Sequence, residues 1–329
     1  MRALIANKSV VALGQWQRRL QRNNIEVVHK ANALTEVYNY SEHHQPDCVI
    51  LPTEMADCAE FELLASLFAI IGIACVVVDT DDGSSLPEAA RRANPAIRCL
   101  LASATDEELI AALRPTGQRA RKDVVAPPCA TASLADPRQV ILIGSSTGGV
   151  DALMQILRHF HQATPPVVIV QHTGGQFAGS LIRLLDGATS ATVVAATHNA
   201  AVQHGHIYLA SSDTHHIRLT ASVPPRIKLD ASPRLSGHRP SADALFSSAT
   251  AFAPHVTAAI LTGMGRDGAE GITALRKSGA RTIGQDEMTS VVYGMPRVAK
   301  SLGGIETELP IQQIGPALLH VGIQRQRAG

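Results

Sequence analysis

Ser146 lies in a glycine-rich segment, GSSTGG at residues 144–149, that directly follows the short apolar run Val140–Ile143. A strand-to-helix turn of this kind can hold a phosphate group at the N-terminus of the helix. The segment also contains the pattern G-x-S-x-G, a tight corner that exposes a serine hydroxyl as a nucleophile. Dinucleotide-binding turns carry G-x-G-x-x-G and an acid about 20 residues later, after the next strand. Here the next apolar run ends in Gln171-His172, which favours a nucleophilic serine.

An imidazole and a carboxylate follow two other apolar runs of the same region. His172 comes just after Val167–Val170, and Asp267 lies shortly after Val256–Leu261. The carboxyl ends of parallel strands meet at one edge of a sheet, where ligands bind. A catalytic triad needs these three groups, because the imidazole takes the proton of the serine and the carboxylate fixes the imidazole tautomer. The order Ser…His…Asp differs from that of the α/β-hydrolases, so that fold is not implied.

The elements that position these residues form an α/β domain, predicted over residues 139–329. Two more strands are predicted at Ala191–Ala196 and His206–Ala210. The runs Ile217–Leu219 and Arg226–Leu229 flank a Pro-Pro turn and predict an antiparallel hairpin. Strands that alternate with helices indicate a doubly wound, mainly parallel sheet.

A second α/β domain is predicted over residues 1–114. Its five short apolar runs alternate with segments of helical spacing, as expected for a (βα)5 fold with a parallel sheet. These runs are Arg2–Ala6, Ile25–Val28, Cys48–Leu51, Ile73–Val78 and Arg98–Leu101. Residues 115–138 are rich in proline, have no apolar period and are predicted to be a linker.

Composition excludes several classes of function. The net charge is +1 and aromatic residues make up 3% of the chain, which argues against a nucleic-acid partner. The apolar stretch from Leu63 to Val78 has about 16 residues, fewer than the ~20 that cross a bilayer, so no membrane insertion is expected. The five cysteines form no CxxC pair or metal-ligand spacing, which predicts a reduced, cytoplasmic protein without a metal.

The second domain resembles the protein-glutamate methylesterases of bacterial chemotaxis. The resemblance covers essentially the whole domain and rests on blocks in one order. These blocks are IGSSTGG at 143–149, VQH at 170–172, GHIYLA at 205–210, HRPSAD at 238–243, ILTGMG at 260–265 with Asp267-Gly268, QDE at 285–287 and VVYGMPR at 291–297. Ser145 and Arg266 stand where the family usually has Ala and Asn.

The resemblance implies a serine hydrolase with Ser146, His172 and Asp267 as its triad. It also implies an oxyanion site near Thr147 and Met264, and no cofactor. The expected reaction is hydrolysis of glutamyl methyl esters on the helical bundles of chemoreceptors, with deamidation of certain glutamines as a related activity. Chemosensory kinase or adaptor proteins are further expected partners.

The first domain resembles a receiver, the phosphorylation module that usually precedes this esterase, but the chemistry of a receiver is missing. Pro52 occupies the place of the phosphoacceptor aspartate, and Asn7-Lys8 replace the pair of acids that holds Mg²⁺. Ala102-Ser103 stand where Lys-Pro is expected. We therefore predict a pseudo-receiver with no phosphorylation site and no metal.

Two alternatives remain beside the esterase. The first is a pseudo-esterase that acts only as a chemosensory scaffold or adaptor, since one half of the chain has already lost its chemistry. The second is a nucleotide-binding domain that uses the glycine-rich turn, although it lacks the acid that such a site needs. Labelling of Ser146 by a fluorophosphonate separates the esterase from the scaffold. A shift of the melting temperature on addition of nucleotides tests the nucleotide-binding alternative.

Overall fold

The structure, a computed structural model, describes residues 1–58, 60–79, 94–113, 136–172, 178–210 and 214–319. The chain divides into two compact units, Met1–Asp123 and Val124–Gly329. Most of the predicted linker lies outside the described residues, so the boundaries at 114 and 139 stay predictions. Within the described ranges, no helix is long and apolar enough to cross a membrane.

The first unit is built on a five-stranded parallel sheet in the order β2-β1-β3-β4-β5. Its strands are β1 (Arg2–Ala6), β2 (Glu26–Ala31), β3 (Cys48–Pro52), β4 (Ala74–Asp79) and β5 (Arg98–Leu101). Its helices are α1 (Val10–Arg22), α2 (Leu34–His44), α3 (Thr53–Ala56), α4 (Glu60–Ile71) and α5 (Asp106–Leu113). This strand order is that of flavodoxin-like folds, and it confirms the predicted (βα)5 architecture.

The central strands of this sheet are apolar because helices cover both of its faces. β3 is buried over its whole length, and β1 is buried except at Arg2. α1 places Leu13 and Leu20 in the same core. It begins at Ser9, whose hydroxyl accepts a hydrogen bond of 3.3 Å from the Ala12 N–H.

The second unit has a seven-stranded parallel sheet and a separate antiparallel hairpin. The strands of the sheet are β6 (Val140–Ser145), β7 (Val167–Gln171), β8 (Thr192–Ala195), β9 (His206–Leu209), β12 (Val256–Ile260), β13 (Arg281–Gln285) and β14 (Thr307–Leu309). The hairpin consists of β10 (His216–Leu219) and β11 (Ile227–Asp230). The helices are α6 (Gly149–Leu157), α7 (Ala178–Asp186), α8 (Ala242–Ser248), α9 (Ala269–Lys277), α10 (Met295–Ser301) and α11 (Ile311–Leu319), and a 3₁₀ helix spans Thr250–His255.

The large sheet has the strand order β14-β13-β12-β6-β7-β9-β8. All its strands are parallel, but the chain adds them first on one side of β6 and later on the other, so that the topological switch point lies between β6 and β12. The chain leaves β6 toward β7 on one side and returns later to β12 on the other. In open α/β sheets the crevice at the carboxyl ends of such a pair of strands is where ligands bind. The predicted doubly wound sheet and its hairpin are confirmed, although β13 and β14 were not among the predicted strands.

Candidate active site

Ser146 lies on a tight turn at the carboxyl end of β6, the central strand of the sheet. The Gly149 N–H donates to the Ser146 carbonyl at 2.8 Å, and Gly148 between them has φ 80° and ψ −2°. These angles are those of the third residue of a type II β-turn, which favours glycine. A Cβ at Gly148 would also lie only 2.6 Å from Cβ of Val291. The turn therefore depends on the glycine, as the G-x-S-x-G pattern indicates.

The two adjacent serines of this turn have different surroundings. The Ser145 hydroxyl is fully buried and donates to Oε1 of Gln171 at 2.6 Å. Nε2 of Gln171 in turn donates to the Ser146 carbonyl at 2.9 Å. The Ser146 hydroxyl makes no hydrogen bond with any described residue, and the side chain is 9% exposed. Ser146 is thus the serine that can react, and the role of Gln171 in fixing its backbone was not predicted.

His172 is the next residue after the end of β7, beside Ser146. Ser145 is paired with Gln171 in the parallel register, and the His172 N–H donates to the Ser145 carbonyl at 3.1 Å. The parallel pairing therefore brings the serine and the histidine to the same edge, side by side. The segment after His172, residues 173–177, lies outside the described residues.

The two ring nitrogens of His172 differ in their partners. Nε2 lies 2.8 Å from Oδ2 of Asp267. Nδ1 is buried and has no hydrogen-bond partner among the residues described here. A neutral imidazole bound to a carboxylate carries its proton on the nitrogen that donates. Nε2 is therefore the protonated nitrogen, and the lone pair of Nδ1 is the one left to accept a proton.

Asp267 is fully buried and accepts hydrogen bonds from the start of α8 as well as from His172. The Ser241 hydroxyl donates to Oδ1 at 2.6 Å, and the Ala242 N–H donates to Oδ2 at 2.7 Å. The Asp243 N–H donates the third bond from α8, a second one to Oδ1, at 3.2 Å. Burial alone would raise the pKa of Asp267, but the bonds from His172, Ser241 and Ala242 outweigh it and lower the pKa. The carboxylate is therefore ionised and held in one orientation.

A second histidine, His238, completes the surroundings of His172. The two imidazole rings are stacked, with centroids 3.9 Å apart and planes inclined by 2°. Burial lowers the pKa of His238, and the neighbouring His172 lowers it further. A neutral His238 covers one face of the reacting imidazole without adding a positive charge. Sequence reasoning gave His238 no role, although it opens the HRPSAD block.

The predicted oxyanion residues lie on the two loops that flank Ser146. The Thr262 hydroxyl donates to the Thr147 carbonyl at 2.9 Å, and the Thr262 carbonyl accepts from the Ser146 N–H at 3.1 Å. The backbone N–H groups of Thr147 and Met264 donate to no described residue. Met264 is 73% exposed, so its side chain borders the open side of the site. These two N–H groups remain the candidate oxyanion donors.

Arg266 precedes Asp267 in the chain but forms no ion pair with it. Its guanidinium forms an exposed ion pair with Glu270, in the first turn of α9. Such exposed pairs contribute little to stability.

The corresponding edge of the first unit carries different groups. β3 ends at Pro52, and the following Thr53 hydroxyl donates to the Val78 carbonyl at 3.3 Å. The Asn7 side chain accepts a 2.8 Å bond from the Ser9 N–H, and Lys8 is exposed. The residues that the structure describes form no cluster of three or more potential metal ligands.

A serine on a tight turn, a histidine held by a buried aspartate and the sheet edge that gathers them define a site of the serine-hydrolase type. A family model described as CheB methylesterase matches residues 141–318. The chain is 34% identical over 344 residues to protein-glutamate methylesterase/protein-glutamine glutaminase 1 of Rhizobium johnstonii, an alignment that covers 99% of this chain and 97% of that protein. The chain belongs to the CheB methylesterase family.

Two further comparisons agree with this assignment. The protein of the same name from Caulobacter vibrioides is 34% identical over 342 residues and is covered to 99%, as is this chain. The crystal structure of the Thermotoga maritima CheB methylesterase catalytic domain superposes with a TM-score of 0.54 and 33% identity. The superposed region covers 56% of this chain and 98% of the Thermotoga maritima chain.

Proposed function

We propose that this protein is a serine hydrolase that removes methyl groups from glutamyl methyl esters of chemoreceptors, releases methanol, and also deamidates receptor glutamines. Membership of the family supports the substrate class, since the full-length relatives carry both activities in their names. The observation that carries the mechanism is the arrangement of His172. Its Nε2 is bound to an ionised Asp267, and its buried Nδ1 is unpartnered among the described residues beside Ser146.

In the first half of the reaction, the Ser146 hydroxyl oxygen attacks the ester carbonyl carbon. Nδ1 of His172 accepts the hydroxyl proton, and the resulting imidazolium is stabilised by Asp267 through Nε2. The tetrahedral intermediate collapses when the bond to the methoxy oxygen breaks. His172 returns the proton to that oxygen, methanol leaves, and the glutamyl group remains as an ester of Ser146.

In the second half, water displaces Ser146 from the glutamyl group. His172 takes a proton from the water molecule as its oxygen attacks the acyl carbon. The bond to Ser146 then breaks, the serine regains its proton from His172, and a glutamate carboxyl group is released. A glutamine side chain follows the same steps, with ammonia as the first leaving group.

The oxyanion of both intermediates needs donors that are already in place. The backbone N–H groups of Thr147 and Met264 fit this role because they donate to no other described residue. One such donor lowers the barrier by roughly 3–4 kcal/mol in comparable sites.

The decisive experiment replaces one serine of the turn at a time. Ser146→Ala should abolish methanol release from methylated receptor membranes and labelling by a fluorophosphonate. Ser145→Ala is the matched control, because its hydroxyl is bonded to Gln171 and it should keep most of the activity. A wild-type chain that binds receptors, releases no methanol and is not labelled would support the scaffold alternative, and an active Ser146→Ala variant would refute the assignment.

The substrate and the cysteines also support the setting we propose. Receptor methylation sites on helical bundles are the substrate surface, and chemosensory kinase or adaptor proteins are the further partners. Among the described residues, Cys48, Cys58 and Cys75 are free thiols, which supports a reducing cytoplasm as the setting.

A further inference from the structure

Ser241 is the residue of the α8 N-terminus that bonds Asp267 through a side chain. It is fully buried, and its hydroxyl donates to Oδ1 of Asp267 at 2.6 Å. The same oxygen accepts a longer bond of 3.4 Å from the Ala244 N–H, as the N-cap of α8. The short bond shows where its hydroxyl proton lies. The Ser241 hydroxyl thus donates its single proton to the carboxylate that holds His172.

Ser241 is in turn held by His216, a residue of the hairpin strand β10. His216 is fully buried, and its Nδ1 accepts a hydrogen bond of 3.2 Å from the Ser241 N–H. Its Nε2 lies 2.9 Å from the Pro233 carbonyl, which can only accept. The two partners therefore fix the neutral tautomer with the proton on Nε2. This anchors Ser241 to the hairpin through a single, directed bond.

We propose that Ser241 is a positioning residue for the reaction, which keeps the Asp267 carboxylate aimed at Nε2 of His172, and that His216 holds Ser241 in place. The proposal rests on the hydrolase function proposed above. Without the Ser241 hydroxyl, Oδ1 retains only the 3.2 Å bond from the Asp243 N–H. Oδ2 keeps its contacts with the Ala242 N–H and Nε2 of His172, but the orientation of the carboxylate is less firmly fixed.

The charges around Asp267 set the direction of the expected pH effect. His172 bonds it directly, His238 stacks on His172, and Arg234 acts on His238. The other acid is Asp243, whose pKa is raised by burial and then by the charge of Asp267, against the opposing Gly271 N–H. Loss of the Ser241 donor leaves more negative charge on Asp267 for the imidazolium of His172. The acid limb of the activity profile should therefore move to higher pH.

The test measures the rate of fluorophosphonate labelling of Ser146 as a function of pH in the full chain. Ser241→Ala should slow labelling about tenfold, the effect of losing a hydrogen bond to a charged group. Its acid limb should also move to higher pH, and methanol release should fall in kcat more than in KM. Ser248→Ala is the matched control, because Ser248 ends α8 and bonds Leu219 and Leu245 without contacting Asp267. It should match wild type in rate and in pH profile.

A pair of substitutions at His216 keeps the test informative if Ser241→Ala folds poorly. His216→Asn can still accept from the Ser241 N–H, whereas His216→Gln can still donate to the Pro233 carbonyl. We expect His216→Gln to shift the acid limb in the direction of Ser241→Ala, and His216→Asn to shift it less.

The result that overturns the proposal is a Ser241→Ala variant with a wild-type acid limb and a wild-type labelling rate per folded molecule. If the two His216 variants had equal acid limbs, the proposal that His216 holds Ser241 in place would be refuted. Failure of the hydrolase function is a separate outcome, because wild type itself would then show no labelling that Ser146→Ala abolishes.

Discussion

Asp267 is the residue on which most of the polar contacts of the site converge. Oδ1 accepts from the Ser241 hydroxyl and the Asp243 N–H, while Oδ2 accepts from the Ala242 N–H and faces Nε2 of His172. Both oxygens are thus surrounded by donors. Since the pKa of Asp267 is lowered on folding, the carboxylate stabilises the fold above its unfolded pKa. That stabilisation is lost as the pH falls through the folded pKa.

Asp267→Asn should reduce kcat by orders of magnitude, about 10⁴-fold in the best-studied triad. An asparagine keeps one acceptor oxygen, so its NH₂ group takes either the place of Oδ2, which faces His172, or the place of Oδ1, which faces Ser241 and the Asp243 N–H. If it faces His172, the proton of the imidazole moves to Nδ1 and the base is lost. Methanol release from receptor membranes measures the effect.

The control for this substitution is the second buried acid, Asp243→Asn. Asp243 bonds the Gly271 N–H at 2.7 Å and does not contact His172 through its side chain. We expect it to lower stability and to retain far more activity than Asp267→Asn. Equal losses in the two variants would argue against a specific role for Asp267 in fixing the tautomer.

At the scale of elements, the two acids lock α8 and α9 together. Asp267 precedes α9 and accepts from the first N–H groups of α8, while Asp243 lies in α8 and accepts from Gly271 in α9. N–H groups in the first turn of each helix are therefore bonded by a carboxylate that lies at the N-terminal end of the other helix. This reciprocal arrangement explains how a residue on a loop is placed accurately enough to orient an imidazole.

The turn that carries Ser146 should tolerate no side chain at Gly148. Gly148→Ala combines a positive φ with a Cβ only 2.6 Å from Cβ of Val291. The backbone strain alone is about 1–2 kcal/mol for an L-residue, and the overlap must displace Val291 or the turn. We expect a lower thermal midpoint and near-complete loss of fluorophosphonate labelling.

Gly303→Ala separates these two effects. Gly303 has φ +72°, close to that of Gly148, but a Cβ there meets nothing within 4 Å. It should show the strain alone, with a modest fall in the midpoint and normal labelling. Equal midpoints and equal labelling in the two variants would contradict the packing argument.

The strands that border the site could be predicted because each is a mainly apolar run buried on both faces. β6, β7 and β12 are buried at every residue. β13 and β14 gave no such run, since β13 contains arginine, threonine and glycine, and β14 has three half-buried residues at the sheet edge. Their place is fixed by pairing with β12 and with each other, which no local pattern reports.

The same distinction holds for the side chains of the site. Ser146, His172 and Asp267 follow strands whose ends must meet, so topology alone brings them near one another. His238, Ser241 and His216 reach the site through packing of the hairpin and the start of α8. The sequence carries their types but not that packing. The family resemblance marks HRPSAD as a block, yet it does not say which atom each residue contacts.

At the scale of the whole molecule, the two units differ in how well they keep the chemistry of their folds. The edge of the first sheet has Pro52 at the end of β3 and exposed Lys8 beyond β1. Asp79 ends the neighbouring strand β4, but the family pattern requires an aspartate at the end of β3. Glu54 lies in the first turn of the following helix, beyond the strand end. A carboxylate that could accept a phosphoryl group is therefore missing from the required position.

The last prediction concerns control of the esterase by this unit. A phosphoryl switch needs an acceptor carboxylate, a Mg²⁺ ion held by hard oxygen ligands and an element with two states to bias. Pro52 removes the first of these, and Asn7-Lys8 replace the acids that would hold the ion with an amide and a positive charge. We expect acetyl phosphate and Mg²⁺ to leave methanol release by the full chain unchanged, and intact-mass measurement to detect no phosphorylated protein.

A receiver-bearing relative with its aspartate intact, treated in parallel, shows that the phosphodonor is active. Stimulation of the full chain together with a phosphorylated mass, at Asp79 or elsewhere, would overturn the pseudo-receiver interpretation, whereas an indifferent full chain means that control of this esterase comes from binding to a partner or is absent.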